Sequence, residues 1–357
     1  MTALRTWFAT RVALVVLVLA GTRQVFGGKG DGWLSGWESW DATYFREIAQ
    51  YGYGGFPAGN PDGPRAVAFF PGFPSVLAAV HVLVPSWTAA ALLVSFVAGA
   101  VAVVYLAKLA ELEGSDGSRA VLLLALSPYA VFLAAGYSEA LFLAVAIPGW
   151  YAARNGRWEA ASVLVGAACL IRVNGVFLAL GLLVLWATTS RERRALAWLP
   201  IPFVAVLGYF AYLKHLTGDW LAWQHAQTEG WGRSFTNPVT SLTNTIHLAR
   251  TSPYGEEYRW SYWAQIVCVA AGLLVVAVCL ARKEWGEATY VGLSLAALAT
   301  STYYLSIERA TLLWFPLWIV LARAAAARPW LQWGYVVVAA PLMVTGVLTF
   351  HDGRWVG

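Results

Sequence analysis

Charge is scarce in this chain. Asp, Glu, Lys and Arg make up only 12% of its 357 residues, whereas a soluble domain covers its surface with roughly 25%. That deficit excludes a water-soluble globule and predicts a lipid-facing one. Cysteine is scarce too. Cys169, Cys268 and Cys279 all fall inside apolar runs, which excludes a disulfide framework or a zinc site with loop spacing and leaves them as small core residues. There is no phosphate-cradling Gly loop, HExxH, Ser-His-Asp set or CxxC pair, and this disfavours a nucleotide-using enzyme. His225 and His247 lie too far apart in sequence to argue for a metal. The net charge of +5 raises the question of nucleic acid. The basic residues, however, sit in short loops between apolar runs, with no basic stripe interleaved with aromatics, so no nucleic-acid partner is expected. Internal repeats, low-complexity tracts and a separate soluble domain are also missing.

What is present is apolar and aromatic: 59% hydrophobic residues, with 20 Trp and 16 Tyr. Such rings favour the headgroup level of a bilayer. Apolar runs recur near 8–27, 88–109, 119–135, 138–153, 158–172, 174–188, 195–213, 262–281, 287–305, 311–327 and 331–350. They predict an all-α polytopic integral membrane protein with about eleven crossings, read as one membrane-embedded domain over 1–357. The first run could pass for a signal peptide, but no small-x-small cleavage site follows it, so a retained helix is expected. The stretch 66–84 carries Pro71, Pro74 and His81 and is closed by Pro85. It is read as re-entrant or interfacial and left outside the span count. With Arg5 and Arg11 in the cytoplasm, the inner loops carry Lys108, Arg154 with Arg157, Arg191 with Arg193 and Arg194, Arg282 with Lys283, and Arg323 with Arg328. This is the positive-inside pattern. Two long polar segments, 28–87 and 214–261, then fall outside.

The first outer segment holds Asp41, Tyr44, Phe45, Ile48 and Ala49 at helical spacing, which predicts a short interfacial helix. Trp37 and Trp40 are expected at the headgroups and Gly52 at the helix end. Asp41 reads either as a functional carboxylate or as a helix N-cap. Pro57, Pro61 and Pro64 stiffen the return toward Ala68-Phe69-Phe70-Pro71. Glu139, after Tyr137-Ser138, stands at an outer helix end. An ionisable group at membrane depth is a functional candidate, with a helix-dipole carboxylate as the alternative. Arg172 in Cys169-Leu170-Ile171-Arg172-Val173-Asn174-Gly175 interrupts a long apolar stretch, as an anion partner or as half of an internal salt bridge to Glu139 or Asp41. Arg309 repeats the theme, with a headgroup anchor as its alternative. In the second outer segment Trp223, Gln224, Gln227, Trp231 and Arg233 interleave in a way that suits sugar recognition. An interfacial belt would explain only the tryptophans. Two carboxylates and two arginines on one side of the membrane suit transfer of a sugar from a lipid phosphate. One carboxylate acts as general base, and the arginines hold the departing phosphate.

At these residues the sequence resembles the PIG-V family of mannosyltransferases, in its bacterial branch, within the GT-C superfamily. The matching pieces are Trp40-Asp41 with Ile48-Ala49 and Gly52-Tyr53, Ala68-Phe69-Phe70-Pro71, Tyr137-Ser138-Glu139 with Leu141-Phe142, Arg172 with Asn174-Gly175, and Thr217-Gly218-Asp219 through Gln227 to Trp231-Gly232-Arg233. The resemblance implies a GT-C fold and inverting transfer of mannose from polyprenyl-phosphate mannose. The acceptor would be a glycolipid, glycan or protein on the outer face, as in GPI-anchor-type α-mannosyl transfer. It implies Asp41 and Glu139 as catalytic residues and Arg172 and Arg309 as donor-phosphate ligands. Trp40, Tyr44, Tyr137, Asn174, Gln227, Trp231 and Arg233 complete the substrate site. No metal centre or resident cofactor is assigned, and a divalent cation stays open beside the lipid-phosphate donor. The competing reading is a lipid or small-molecule transporter, which would place ionisable groups at mid-membrane and show a two-fold repeat.

Overall fold

Apolar runs bounded by prolines, glycines and polar caps fold into helices throughout the computed structural model, which describes residues 2–24, 32–56, 60, 63–190, 192–253 and 255–356. Pro57, Pro61 and Arg191, given stiffening and orienting roles above, and residues 28–31 lie outside the described residues. In chain order the helices begin with α1 (Thr2–Gln24), the single turn α2 (Gly32–Ser35), α3 (Asp41–Tyr51) and α4 (Gly72–His81). They continue with α5 (Trp87–Leu112), α6 (Gly117–Ala125), α7 (Ser138–Arg154), α8 (Trp158–Ile171) and α9 (Asn174–Thr189). Next come α10 (Ile201–Thr217), α11 (Ala222–Trp231), α12 (Pro238–Thr251) and α13 (Glu256–Ala281). The last are α14 (Trp285–Ala299), the single turn α15 (Ile307–Ala310), α16 (Phe315–Ala327) and α17 (Pro329–His351). Among the described residues there is no strand, only an isolated bridge between Phe235 and Ser301.

Local chemistry sets many of the boundaries. The Ser86 hydroxyl accepts the Ala89 N–H and starts α5; the Asp116 carboxylate accepts the Arg119 N–H and starts α6. Asn237 caps α12 ahead of Pro238. Gly52, Gly218 and Gly232 end α3, α10 and α11 in the left-handed region.

The chain is an integral membrane protein: α1, α5, α10 with its leading turn (Arg193–Thr217), α13 and α17 are each long and apolar enough to cross a bilayer. A sixth crossing is counted if α15 and α16, bent by 78° about their junction, act as one span. That falls short of the eleven crossings expected. Helices α7, α8, α9 and α14 run 14 to 17 residues, roughly 21–26 Å against a hydrocarbon core of about 30 Å. Three of the expected runs are not single helices, and one of them, 195–213, falls on a 3-10 turn (Arg193–Ala197) and α10. The run 119–135 breaks after α6, because Pro128 disfavours helical backbone at Ser127 and offers no N–H. The run 311–327 is broken at the α15–α16 bend. Residues 66–84 form a short 3-10 turn (Ala66–Ala68) and the ten-residue α4, too short to cross.

The described chain clusters into two compact units, one of Met1–Arg46, Phe73–Tyr151 and Leu312–Val356 and the other of Glu47–Gly72 and Ala152–Thr311. In the first, α1 packs on α5, α6 and α17, and α16 packs on α6 and α17. Arg11 belongs to this core, at 6% exposure. Its guanidinium donates to the carbonyls of Ala125 (3.3 Å) and Ala130 (3.2 Å) and lies over the Trp7 ring. The Ala125 carbonyl, at the end of α6, is one that the Pro128 break leaves without a helical partner. In the second unit α9 packs on α8 and α14, α10 on α8, and α13 on α12 and α14. There Arg154 pairs with the buried Glu287 at 3.0 Å.

Candidate functional site

The first long polar segment contains the predicted helix α3, with Asp41 as its first residue. Its buried stripe is Ala42, Phe45 and Ile48. Asp41, Tyr44 and Ala49 flank that stripe, half-buried, rather than filling its centre. Trp40 just before it has φ of 61°, a left-handed conformation that costs a bulky residue roughly 1–2 kcal/mol. The kink turns the chain sharply into α3 and sets the direction of Asp41. Trp40 is 42% exposed and lies edge-on to Trp355. Trp37, expected beside it at the headgroups, is 3% exposed. It packs against Phe350 and edge-on to His351, because α2 folds it into the first unit's core.

Tyr137 joins this segment to the start of α7. The Asp41 backbone N–H donates to the Tyr137 hydroxyl at 3.2 Å, and that hydroxyl donates to the Ser39 carbonyl at 2.9 Å. The ring is fully buried among Phe45, Phe132 and Phe350. Its hydroxyl is thus engaged with the backbone on either side of Trp40. Two residues later Glu139 sits in the first turn of α7, 0% exposed. Trp40, Asp41, Tyr44, Tyr137 and Glu139 therefore gather within the first unit, with both carboxylates at helix N-termini, where partial positive charge favours them.

The remaining sequence-predicted residues lie in the second unit. Arg172 occupies the two-residue turn between α8 and α9 in extended conformation, and its carbonyl accepts the Gly175 N–H at 2.9 Å. Asn174 opens α9 and is buried. A Cβ on Gly175 would run into the backbone of Ala168 and Cys169, so α8 and α9 meet there in direct backbone contact. Tyr290 of α14 lies within electrostatic reach of Arg172. Arg309, on α15, is 7% exposed, a burial at odds with a simple headgroup anchor. The stretch leading into α15 runs beside the end of α11. Arg233 donates to the Leu305 carbonyl at 3.2 Å, and the Thr302 hydroxyl donates to the Gly232 carbonyl at 2.8 Å.

The second long polar segment is more ordered than a loop, since residues 222–231 and 238–251 are the helices α11 and α12. Gln227 does not stand clear of the protein. Its amide donates to the Ala68 carbonyl at 3.3 Å, beside Trp223 Nε1 at 3.1 Å, while Trp231 stands edge-on to Phe69. Burial pushes the Tyr53 phenol well above its ordinary range, with Tyr209 adding to the shift, so Tyr53 stays a donor. His225 pairs with Asp219 at 2.7 Å on the surface. Among the described residues no three His, Cys, Asp or Glu side chains gather in a metal-binding group.

Sequence reasoning passed over Glu308. Its side chain is fully buried on α15 and accepts from the Ser261 hydroxyl at 2.8 Å, while Gln265 accepts the Ile307 N–H at 3.3 Å. α13 thus fixes the turn that carries Arg309. The available signal was the charge pair Glu308-Arg309 at the edge of an apolar run.

Comparison with known proteins bears out the resemblance to the PIG-V family. Residues 17–190 match the family model described as Mannosyltransferase (PIG-V). The chain is 35% identical over 159 residues to GPI alpha-1,6-mannosyltransferase 2 of Homo sapiens, covering 41% of this chain and 31% of that protein. It is 43% identical over 51 residues to GPI mannosyltransferase 2 of Yarrowia lipolytica, 14% of each chain. The matched region thus spans less than a third of these curated relatives. Among solved structures it is similar to the Archaeoglobus fulgidus oligosaccharyltransferase tethered with an acceptor peptide. The TM-score is 0.44 and the identity 10%, over 98% of this chain and 55% of that one.

Proposed function

We propose that this protein is an integral-membrane mannosyltransferase of the GT-C type. It moves mannose from polyprenyl-phosphate mannose to a hydroxyl of a glycolipid, glycan or protein on the non-cytoplasmic face. The observation that carries this reading is a coincidence of two lines. The stretch matching the mannosyltransferase family, residues 17–190, contains Asp41, Glu139, Arg172 and Asn174. Within it, the Tyr137 hydroxyl ties the backbone of Asp41 to the start of the helix that carries Glu139.

In the proposed chemistry Asp41 accepts the proton of the acceptor hydroxyl as its oxygen attacks the anomeric carbon. The bond from that carbon to the phosphate oxygen breaks, and the configuration inverts. The electron pair leaves on polyprenyl phosphate, whose charge Arg172 and Arg309 offset. Glu139, sealed from solvent at a helix start, orders the acceptor side.

The test is direct. Purified protein in lipid nanodiscs should transfer radiolabelled mannose from polyprenyl-phosphate mannose to a lipid-linked mannoside. Asp41→Asn should abolish transfer while leaving the thermal unfolding midpoint unchanged. Normal turnover by that variant removes Asp41 from the mechanism, and absence of transfer by wild-type protein with any lipid-phosphate sugar refutes the reading.

A further inference from the structure

Irregular backbone in a membrane protein must find hydrogen-bond partners inside the protein. The carbonyls of Val67, Ala68 and Phe69 find theirs in side chains. The Tyr209 hydroxyl donates to the carbonyls of Val67 (3.3 Å) and Phe69 (2.8 Å), and the Tyr53 hydroxyl donates to Phe69 (2.7 Å). Trp223 Nε1 and Gln227 Nε2 both donate to Ala68, at 3.1 and 3.3 Å. Three consecutive carbonyls thus face four donor groups, with the Tyr209 proton shared between two of them, from three separate stretches of chain: Tyr53 just after α3, α10 and α11. Rings close the same collar. Phe70 packs on Tyr209 and Trp223, and Phe69 stands edge-on to Trp231.

The far end of this clasped segment rests on the end of α8. A Cβ on Gly72 would press on the Leu170 carbonyl and the Ile171 side chain, the two residues before Arg172. No slack separates the collar from the turn that carries Arg172 and Asn174: Pro71 is stiff and Gly72 is in backbone contact.

We infer that Tyr53, Tyr209, Trp223 and Gln227 are positioning residues. They hold residues 66–72 as a rigid bed for the Arg172–Asn174 turn, so that α11 sets the placement of Arg172 through the Ala68 carbonyl. This assigns Gln227 a role in the protein's own framework rather than on an acceptor sugar. The kinetic consequence rests on the mannosyl-transfer reading; the structural consequence does not.

The test uses the full-length protein in nanodiscs and the double variant Trp223→Phe/Gln227→Met, which keeps the packing volume and removes both donors to Ala68. Amide hydrogen exchange needs no substrate. Residues 66–72 and 170–175 should exchange at least fivefold faster than in wild type, and unchanged exchange at 170–175 overturns the inference whether or not the protein transfers mannose. In the transfer assay the KM for polyprenyl-phosphate mannose should rise about fivefold with the acceptor KM unchanged. In an Arg172→Lys background the same double substitution should add nothing further, because residues acting through one group are non-additive. A rise in acceptor KM alone, or full additivity with Arg172→Lys, also overturns it. If the double variant does not fold, Tyr53→Phe removes one donor and must show the same pattern at lower amplitude.

Discussion

Replacing Tyr137 by Phe isolates what its hydroxyl contributes. The ring contacts with Phe45, Phe132 and Phe350 survive the change. The variant loses two hydrogen bonds, from the Asp41 N–H and to the Ser39 carbonyl. Each is a neutral bond with a net value of about 1 kcal/mol. Asp41 is half-buried at the start of α3, where a first-turn N–H has no helical acceptor, so water recovers part of the loss. The stability loss should therefore be about 1–2 kcal/mol. The functional loss should be larger than stability alone explains. Trp40 holds its left-handed backbone between the two bonded groups, and releasing both lets that kink relax and Asp41 drift. Misplacing a reacting group by about 1 Å can lower a rate by up to ~100-fold, and a partial drift should lower kcat about tenfold. The assay is mannose transfer in nanodiscs with parallel thermal unfolding. The control is Tyr335→Phe, which removes one hydroxyl bond, to the Leu123 carbonyl, in the same unit. It should lose about 1 kcal/mol of stability and no activity. Equal activity in the two variants would refute the positioning role of Tyr137.

Three further outcomes are expected. Gly175→Ala drives a methyl group into the backbone of Ala168 and Cys169 and should destabilise by about 2 kcal/mol; Gly208→Ala on α10 meets nothing within 4 Å and should be neutral or gain about 0.5 kcal/mol, both read by thermal unfolding. Arg154→Met leaves the buried Glu287 carboxylate without its cation and should destabilise by about 3 kcal/mol, whereas Arg154→Met/Glu287→Leu should restore most of that, as a double-mutant cycle would measure. Asp41→Cys should react with an impermeant thiol reagent added outside intact cells and not with one confined inside; the opposite result would invert the proposed sidedness.

Several parts of this arrangement are legible in sequence because a single strong rule governs them. Short helix α3 follows from apolar spacing with Gly52 at its end, and the α8–α9 turn from one Arg inside an apolar stretch. Trp37 was misread because an interfacial and a core tryptophan have the same composition signal; only its packing against Phe350 separates them. The packing role of Arg11 is hidden in the sequence for a similar reason. A positive residue near the N-terminus satisfies the positive-inside rule, and the carbonyls it caps lie more than a hundred residues away. The helices α11 and α12 were hidden by polarity: their sequences have too few apolar residues for a stripe, and α11 is held by Ala68 rather than by a core.

The breaks in the helices bear on both the number of long spans and the position of the charges. Hydropathy averages over a window, so a run such as 119–135 reads as one span although a proline severs it. A severed helix exposes backbone N–H and C=O groups that something polar must answer. The chain answers them with the residues the sequence marked as exceptional. Asp41 follows the left-handed Trp40, Glu139 lies shortly after a 3-10 segment that ends at Leu133, Arg172 spans the gap between α8 and α9, and Arg309 follows the left-handed Ser306. In a lipid-facing chain a charge far from such a break has no local compensation, and a break without polar groups leaves its backbone unsatisfied. Each requirement meets the other at the same few positions. An isolated charge beside a Pro, Gly or aromatic kink within an apolar stretch is therefore a better guide to where a helix stops than the length of the stretch.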